Sequence, residues 1–335
     1  MLTPRQNMME VIKGGNPDRF VKQYEALEFV MTTPYLLEYP TMPEGPGADP
    51  VVCGWGYTNA WPAGQIGAFP VHDAEHLVCP DITRWKEYVK APNIDYPEEA
   101  WKKCQEDVAK VNRDEKFVTA FVAPGLFEMT HYLCEIQNAM VNFYDEPEAM
   151  HELIDVICEY RLTYMKLVVE HLHPDCIVSH DDWGAKDSLF MSAETWREFF
   201  KEPYRKLYDY LHSQGVIVMH HGDSYMEPIV EDMAEIGVDI WQGVLVTNNI
   251  PAISEKVGDR MLLMGGIDSV IDREDATEEE IRKEVRRACN EYGELKGYWP
   301  GITYGGPGTI YPHVEEIVID EINKYNMERF GVAIS

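Results

Sequence analysis

Short apolar runs alternate with longer amphipathic runs along the chain from about residue 116 onward. Each apolar run is nearly continuous, which is typical of a parallel strand covered on both faces. The predicted strands are Phe117–Ala123, Cys176–Ser179, Val216–Met219, Val238–Trp241, Met261–Met264 and Tyr298–Thr303. Repeated strand–helix units of this kind predict an α/β fold built on a parallel sheet.

Amphipathic helices are predicted in the intervals between these strands. The clearest one begins at Thr277, because Thr277 and Glu280 have the spacing of a capping box and apolar residues follow at intervals of three and four. The other predicted helices run from Pro147 to about His171, from Ser192 to Ser213 with a bend at Pro203, from Met226 to Ile236, and from His313 to Arg329.

The first 115 residues are less regular and contain a Pro/Gly-rich stretch between residues 39 and 70. Two further strands are expected there, at Val21–Leu27 and Val51–Trp55, so that eight strand–helix units close into a barrel. The predicted fold is therefore a (β/α)8 TIM barrel, with residues 1–335 forming a single domain. An open doubly wound sheet is the alternative, but no glycine-rich phosphate turn follows an early strand.

The charge balance narrows the range of partners. Hydrophobic residues make up 45% of the 335 residues, enough for an ordinary core, whereas 58 acidic residues face only 29 basic ones, for a formal net charge of −29. Such a field repels phosphate backbones and anionic lipid head groups. Nucleic acid and membrane surfaces are therefore not expected as partners.

Cysteine usage and the start of the chain bear on its compartment. The seven cysteines are odd in number, widely spaced and without a CxxC pair, which predicts reduced thiols. Thr3 and Pro4 lead directly into a helix, with no charged-then-apolar leader before them, and nowhere do 18 apolar residues run together. We therefore expect a cytoplasmic protein without a membrane span.

Polar residues follow several of the predicted strands, at the end of a barrel where active sites form. His180, Asp181 and Asp182 follow one strand, and the next is followed by His220, His221, Gly222 and Asp223. His221, Asp223 and one of the two adjacent acids could form a metal site or an acid/base cluster. Alternatively, Asp223 or Ser224 only caps the following helix.

His220 and His221 are neighbours on an extended segment, so their side chains face opposite sides and only one looks easily into the barrel. Glu128 and His131 share a helical face and can reach the same mouth. His171 and His173 end a long helix, where an imidazole simply complements the helix dipole.

Several short motifs, in their order and spacing, resemble the uroporphyrinogen decarboxylase superfamily along almost the whole chain. They are Thr3-Pro4-Arg5, Gly15–Arg19, Gly125–Glu128, Asp181–Gly184, Met191-Ser192, Phe199-Phe200, Pro203-Tyr204, His221-Gly222 and Gly265–Asp268. The resemblance implies a (β/α)8 barrel with its site at the C-terminal mouth. It leaves two activities open, since the superfamily contains porphyrinogen decarboxylases and also corrinoid- or thiol-linked methyltransferases.

The porphyrinogen decarboxylase activity is not expected here. That branch holds its many substrate carboxylates with arginines in a segment that here corresponds to Val21–Phe29, and Lys22 is the only basic residue between positions 20 and 80. Unpaired carboxylates buried in such a site would cost several kcal/mol each. The same region is rich in Tyr, Trp and Phe, which suits a small apolar or aromatic ligand.

The methyltransferase branch resembles the chain more closely, with one departure. Its zinc members carry a His-x-Cys at a strand end that here reads Met219 and His221, and the last Gly-rich loop has Gly305 and Gly306 but no cysteine. A set of His221, Asp182 and Glu128 could still hold zinc, and such oxygen and nitrogen donors suit an oxygen substrate better than a thiol.

We therefore expect a methyltransferase that moves a methyl group from a small O-methyl substrate, an aromatic ether, to a corrinoid carried by a partner protein. The candidate catalytic residues are Asp182, His221, His220 and Asp223; substrate contacts are expected from Tyr24, Trp183, Trp241, Tyr304 and Tyr311. One alternative is a metal-free decarboxylase or lyase of a small carboxylic acid, with Asp182 and His221 as general acid and base. Another is a non-catalytic corrinoid-binding or chaperone-like subunit. A homodimer is compatible with each.

Overall fold

A computed structural model describes residues 1–65, 67–303 and 309–332. Its strands in chain order are β1 (Leu27–Val30), β2 (Val51–Val52), β3 (Thr58–Ala60), β4 (Phe69–Pro70), β5 (Phe117–Val122), β6 (Cys176–His180), β7 (Ile217–His221), β8 (Ile240–Val244), β9 (Leu262–Ile267) and β10 (Tyr298–Ile302). β1 and β5 to β10 form one parallel sheet in chain order, whereas β2, β3 and β4 form a small antiparallel sheet. The TIM-barrel-like α/β fold is confirmed.

The helices are α1 (Pro4–Ile12), α2 (Pro34–Glu38), α3 (Trp85–Tyr88), α4 (Glu98–Val108), α5 (Leu126–Cys134), α6 (Ile136–Asp145), α7 (Pro147–Leu172), α8 (Ala193–Trp196), α9 (Glu202–Ser213), α10 (Val230–Glu235), α11 (Ile250–Val257), α12 (Glu278–Tyr292) and α13 (Pro312–Arg329). The Thr277–Glu280 capping box at the start of α12 is confirmed. The bend expected near Pro203 is a π-helical turn at Arg197–Lys201, between α8 and α9. Across the described ranges, no helix combines the length and apolarity needed to cross a bilayer.

The two strands expected in the first 115 residues differ from the prediction. Lys22 to Leu27 forms successive turns, with the N–H of Glu25 on the carbonyl of Lys22, so that β1 begins only at Leu27. At Val51–Trp55 only two residues pair, and they join the antiparallel sheet because the chain reverses at Gly56, whose φ is +87°. The barrel sheet thus has seven strands in the described residues rather than eight.

The seam between the first and last strands of the sheet is bridged by a side chain. The amide of Gln23 donates to the carbonyl oxygen of Ile302 at 2.9 Å and accepts from its N–H at 3.0 Å, the two bonds that a neighbouring strand would make. Gly301 allows this approach, because a Cβ there would lie 2.7 Å from Gln23 Cδ. Gln23 therefore continues the hydrogen bonding of the sheet where no backbone ladder joins β10 to β1.

Candidate functional site

Two histidines lie side by side where β6 and β7 end. His180 and His221 are register partners on the neighbouring parallel strands, and their rings stack with centroids 4.4 Å apart. Gln242 on β8 is the next residue in the same row. Register partners on adjacent strands share a face of the sheet, so these three side chains point the same way.

The preceding row of the sheet points to the surrounding helices instead. It consists of Ser179, His220 and Trp241. The hydroxyl of Tyr208 on α9 contacts Ser179 Oγ and His220 Nδ1, each at 3.0 Å, which identifies this face as the helix-covered one. The row of His180, His221 and Gln242 therefore faces the barrel interior.

Both interior histidines use Nδ1 to contact a fixed acceptor. His180 Nδ1 lies 2.9 Å from Glu128 Oε2, and His221 Nδ1 contacts Gln242 Oε1. These contacts orient the rings and leave Nε2 of each as the nitrogen that can bind a metal. Metal-binding histidines in proteins usually donate their other N–H to such a partner.

Asp182 completes a group of three donors. One ligand atom from each of His180, Asp182 and His221 lies within 4.8 Å of the others. Two imidazole nitrogens and one carboxylate form the protein ligand set of many catalytic zinc sites, which keep a further position open for substrate or water. Gln242 Nε2 is buried beside this group and has no hydrogen-bond partner within residues 1–65, 67–303 and 309–332, so it can donate to a bound ligand.

The adjacent acids Asp181 and Asp182 have different surroundings. Asp181 is fully buried and accepts hydrogen bonds from the backbone N–H groups of Phe127 and Glu128, at 3.0 and 2.8 Å. It also accepts from Trp183 Nε1 at 2.8 Å and from the Tyr204 hydroxyl. The two backbone bonds satisfy N–H groups in the first turn of α5, which have no partner within the helix. Asp181 therefore supports the fold, and Asp182 is the acid of the donor group.

The carboxylates of Asp182 and Asp223 lie close enough at this site to repel each other. Burial raises the pKa of Asp182 well above its usual value, and repulsion from Asp223 adds to the effect. Burial likewise raises the pKa of Asp223 to about 6. Because unbalanced carboxylates titrate in this way, a bound divalent cation would relieve the repulsion between them.

The two histidines titrate in opposite directions. Burial disfavours the charged form of His180, but the charge and the hydrogen bond of Glu128 outweigh it and raise its pKa to about 10. Burial lowers the pKa of His221 to about 3, and repulsion from a charged His180 contributes. His221 is therefore neutral, which is the form that binds metals, whereas His180 has to release a proton when it binds one.

The sequence predicts Glu128 as a metal ligand and His220 as a catalytic residue, but neither belongs to the three-donor group. Glu128 is buried behind His180 and contacts its Nδ1, so it orients that imidazole and does not belong to the three-donor group. His220 is fully buried, stacks on Trp183 at 4.0 Å, and uses Nδ1 on Tyr208 and Nε2 on the carbonyl of Asp181. Both ring nitrogens of His220 are thus held in polar contacts with neighbouring residues of the fold.

The expected substrate contacts are divided between the two faces of the sheet. Tyr24 is at the interior mouth, where burial and then the charge of Asp223 raise the pKa of its hydroxyl. Trp183 and Trp241 are fully buried on the helix-covered face. Trp183 packs on Trp196, and Trp241 Nε1 donates to the carbonyl of Gly222. Neither therefore contacts the three-donor group. Tyr311 is exposed beside His313, and Tyr304 lies outside the described residues.

Two residues of the interior row, His180 and Gln242, are not among the candidate site residues predicted from the sequence. His180 lies directly after a predicted strand, and His221 follows the next strand by two residues, so aligning the two strand ends pairs the histidines. Gln242 also directly follows a predicted strand, Val238–Trp241, but an uncharged amide is neither a common zinc ligand nor an acid or base, so its position alone does not single it out.

Comparison with known proteins agrees with this architecture. A family model described as "Uroporphyrinogen decarboxylase (URO-D)" matches residues 68–325. The uroporphyrinogen decarboxylases of Alkalilimnicola ehrlichii and Magnetococcus marinus are 27% and 28% identical to the chain over 184 and 183 residues, which cover 54% and 52% of it. The match covers 48% of each of these relatives, so the chain spans about half their length. A solved methyltransferase from Methanosarcina mazei has a TM-score of 0.63 at 17% identity, over 98% of this chain and 99% of that one, a likeness of fold.

Proposed function

Since the chain belongs to the uroporphyrinogen decarboxylase family, we propose that it is a member that transfers a methyl group from a small aromatic O-methyl ether to a corrinoid carried by a partner protein. The proposal includes a zinc ion held by His180, Asp182 and His221. One observation carries it, namely two stacked interior histidines, each fixed through Nδ1, with a carboxylate beside them.

The donor set favours an oxygen substrate. Two imidazoles and one carboxylate are borderline to hard ligands, whereas a thiol-activating site is built with cysteine, and the described cysteines are all buried away from this group. When bound there, zinc would polarise the ether oxygen as a Lewis acid. His180 and His221 hold their orientation through Glu128 and Gln242, so the bound oxygen would meet preset ligands.

The transfer requires a proton on the leaving oxygen. The bond between the methyl carbon and oxygen breaks, its electron pair stays on oxygen, and the methyl group passes to the reduced corrinoid. Asp223 can hold the proton that converts the oxygen to a phenol, because burial raises its pKa to about 6. Its backbone N–H donates to Asp182 Oδ1 at 3.0 Å, which keeps Asp223 next to the ligand set.

Metal content and methyl transfer measured on the same variants test this proposal. We expect the wild-type protein to bind zinc, and His180→Ala and His221→Ala to lose most of it together with methyl transfer from methoxybenzene derivatives to cob(I)alamin, followed by absorbance. His212→Ala is the matched control, since that imidazole contacts Asp239 away from the barrel interior and should keep both properties.

Three results would contradict the proposal. Full zinc binding by His221→Ala would show that the histidine pair is not the metal site. Methyl transfer that persists after dialysis against a chelator would refute the zinc ion. Methyl transfer absent from the wild-type protein would favour the metal-free decarboxylase or lyase, which should release carbon dioxide from a small acid without any corrinoid.

A further inference from the structure

Arg161 is a buried cation without a counter-charge among the residues that the structure describes. It lies on α7 with 2% of its surface exposed, and its Nη2 donates to the carbonyl oxygen of Pro124. Its Nε and Nη1 are buried and contact no hydrogen-bond acceptor in the described part of the chain. By contrast, Arg19, which is equally buried, pairs with Asp18 at 2.7 Å.

The groups that surround Arg161 are neutral near pH 7. Its charge acts on the hydroxyls of Tyr35, Tyr57, Tyr160 and Tyr164, and burial raises the pKa of each of them. Burial also raises the pKa of the nearby Cys53 thiol to about 11. Hydroxyls can share a hydrogen bond with an anion, but none of these groups supplies the negative charge that a buried guanidinium requires.

An unpaired buried charge destabilises a fold unless something else compensates it. Burying a neutral side chain at this position would be more favourable for folding alone. Such a destabilising buried charge is usually retained at a binding site, because there a ligand supplies the missing opposite charge. The remaining N–H donors of Nε and Nη1 suit the oxygens of a carboxylate.

The region around Arg161 adjoins the interior histidines. Pro124, which Arg161 contacts, precedes Gly125, whose N–H donates to Glu128 Oε2 at 3.3 Å, and Glu128 in turn contacts His180. An aromatic pair, Tyr57 and Tyr132 with ring centroids 5.1 Å apart, lies in the same region. A cation, aromatic rings and a metal-ligand set thus occur at one end of the barrel.

We propose that Arg161 binds a carboxylate of the substrate, so that the substrate class is an aromatic acid that carries an O-methyl ether. This inference rests on the proposed function for the ether, while the carboxylate site stands on the contacts of Arg161 itself. One arginine neutralises one carboxylate, in keeping with a small monoacid and not with a porphyrinogen.

Binding of benzoate and 4-methoxybenzoate by calorimetry, with 4-methoxybenzyl alcohol as the neutral analogue, tests the inference. In Arg161→Gln we expect both acids to bind at least about 30-fold more weakly and the alcohol to bind as before, since a hydrogen-bonded charge pair is lost. Without ligand, Arg161→Gln should unfold at the same urea concentration as the wild type or higher. Arg19→Gln, which breaks a paired arginine, should be less stable and bind benzoate normally.

The outcomes separate this inference from the proposed function. Benzoate affinity unchanged in Arg161→Gln, or in the uncharged Arg161→Met should the first variant fail to fold, would overturn it. Methyl transfer from the neutral alcohol with no benzoate binding would also overturn it and leave the proposed function intact. Benzoate binding that depends on Arg161, in a protein that transfers no methyl group, would support the carboxylate site and refute the methyl transfer.

Discussion

Asp181→Asn should destabilise the fold by about 4–6 kcal/mol, although the neighbouring Asp182→Asn should cost about 1 kcal/mol or less. Asp181 accepts four hydrogen bonds, three through Oδ2 and one, from the Glu128 N–H, through Oδ1. An asparagine placed to keep the first three leaves that N–H buried without an acceptor, which costs about 1–3 kcal/mol. The other three change from a charged to a neutral acceptor at about 1 kcal/mol each.

Replacing Asp182 removes fewer hydrogen bonds than replacing Asp181. It accepts one backbone N–H, from Asp223, and burial already disfavours its charge. With zinc bound as proposed, its replacement should therefore remove the metal and leave the fold in place. Urea unfolding gives the stability of each variant, and plasma emission spectroscopy gives its zinc content. Since whole domains are stable by about 5–15 kcal/mol, the loss in Asp181→Asn would be evident as a large shift of the unfolding midpoint.

The reverse pattern would refute this reasoning. An Asp181→Asn protein with a normal unfolding midpoint and no zinc would mean that Asp181, not Asp182, belongs to the ligand set. A large destabilisation in Asp182→Asn would mean that its carboxylate has structural partners beyond those described. Asp223→Asn serves as the control for charge alone, and it should keep most of the zinc.

Two further outcomes are expected. Gln23→Ala should lower stability by about 1–3 kcal/mol, because two hydrogen bonds across the seam are lost, and hydrogen exchange should rise at Ile302 more than elsewhere in the sheet; unchanged protection of Ile302 would argue against the bridge. His171→Ala and His173→Ala should keep turnover, since His171 stacks on Trp101 and His173 is the C-cap of α7, and a fall in rate at an unchanged melting temperature would contradict this.

The six strands after residue 116 could be predicted because each apolar run is nearly continuous, and the α12 start could be predicted because its capping box is explicit in the sequence. The first strands could not, since aromatic side chains between residues 20 and 60 pack as well in turns as in strands. The distinction between Asp181 and Asp182 depends on where α5 begins, which local sequence does not specify. The face occupied by Trp241 depends on strand register in the same way.

His180 and His221 are neighbours across a parallel ladder, and this has a consequence for how an ion would enter and leave. The spacing between hydrogen-bonded strands, about 4.8 Å, is set by the backbone and changes little. The distance between the two imidazoles is therefore determined by the sheet, and only small ring rotations can adapt that distance to ions of different radius. Loss and return of the ion should leave the main chain in place, so that exchange is governed by ligand dissociation at the mouth and not by refolding.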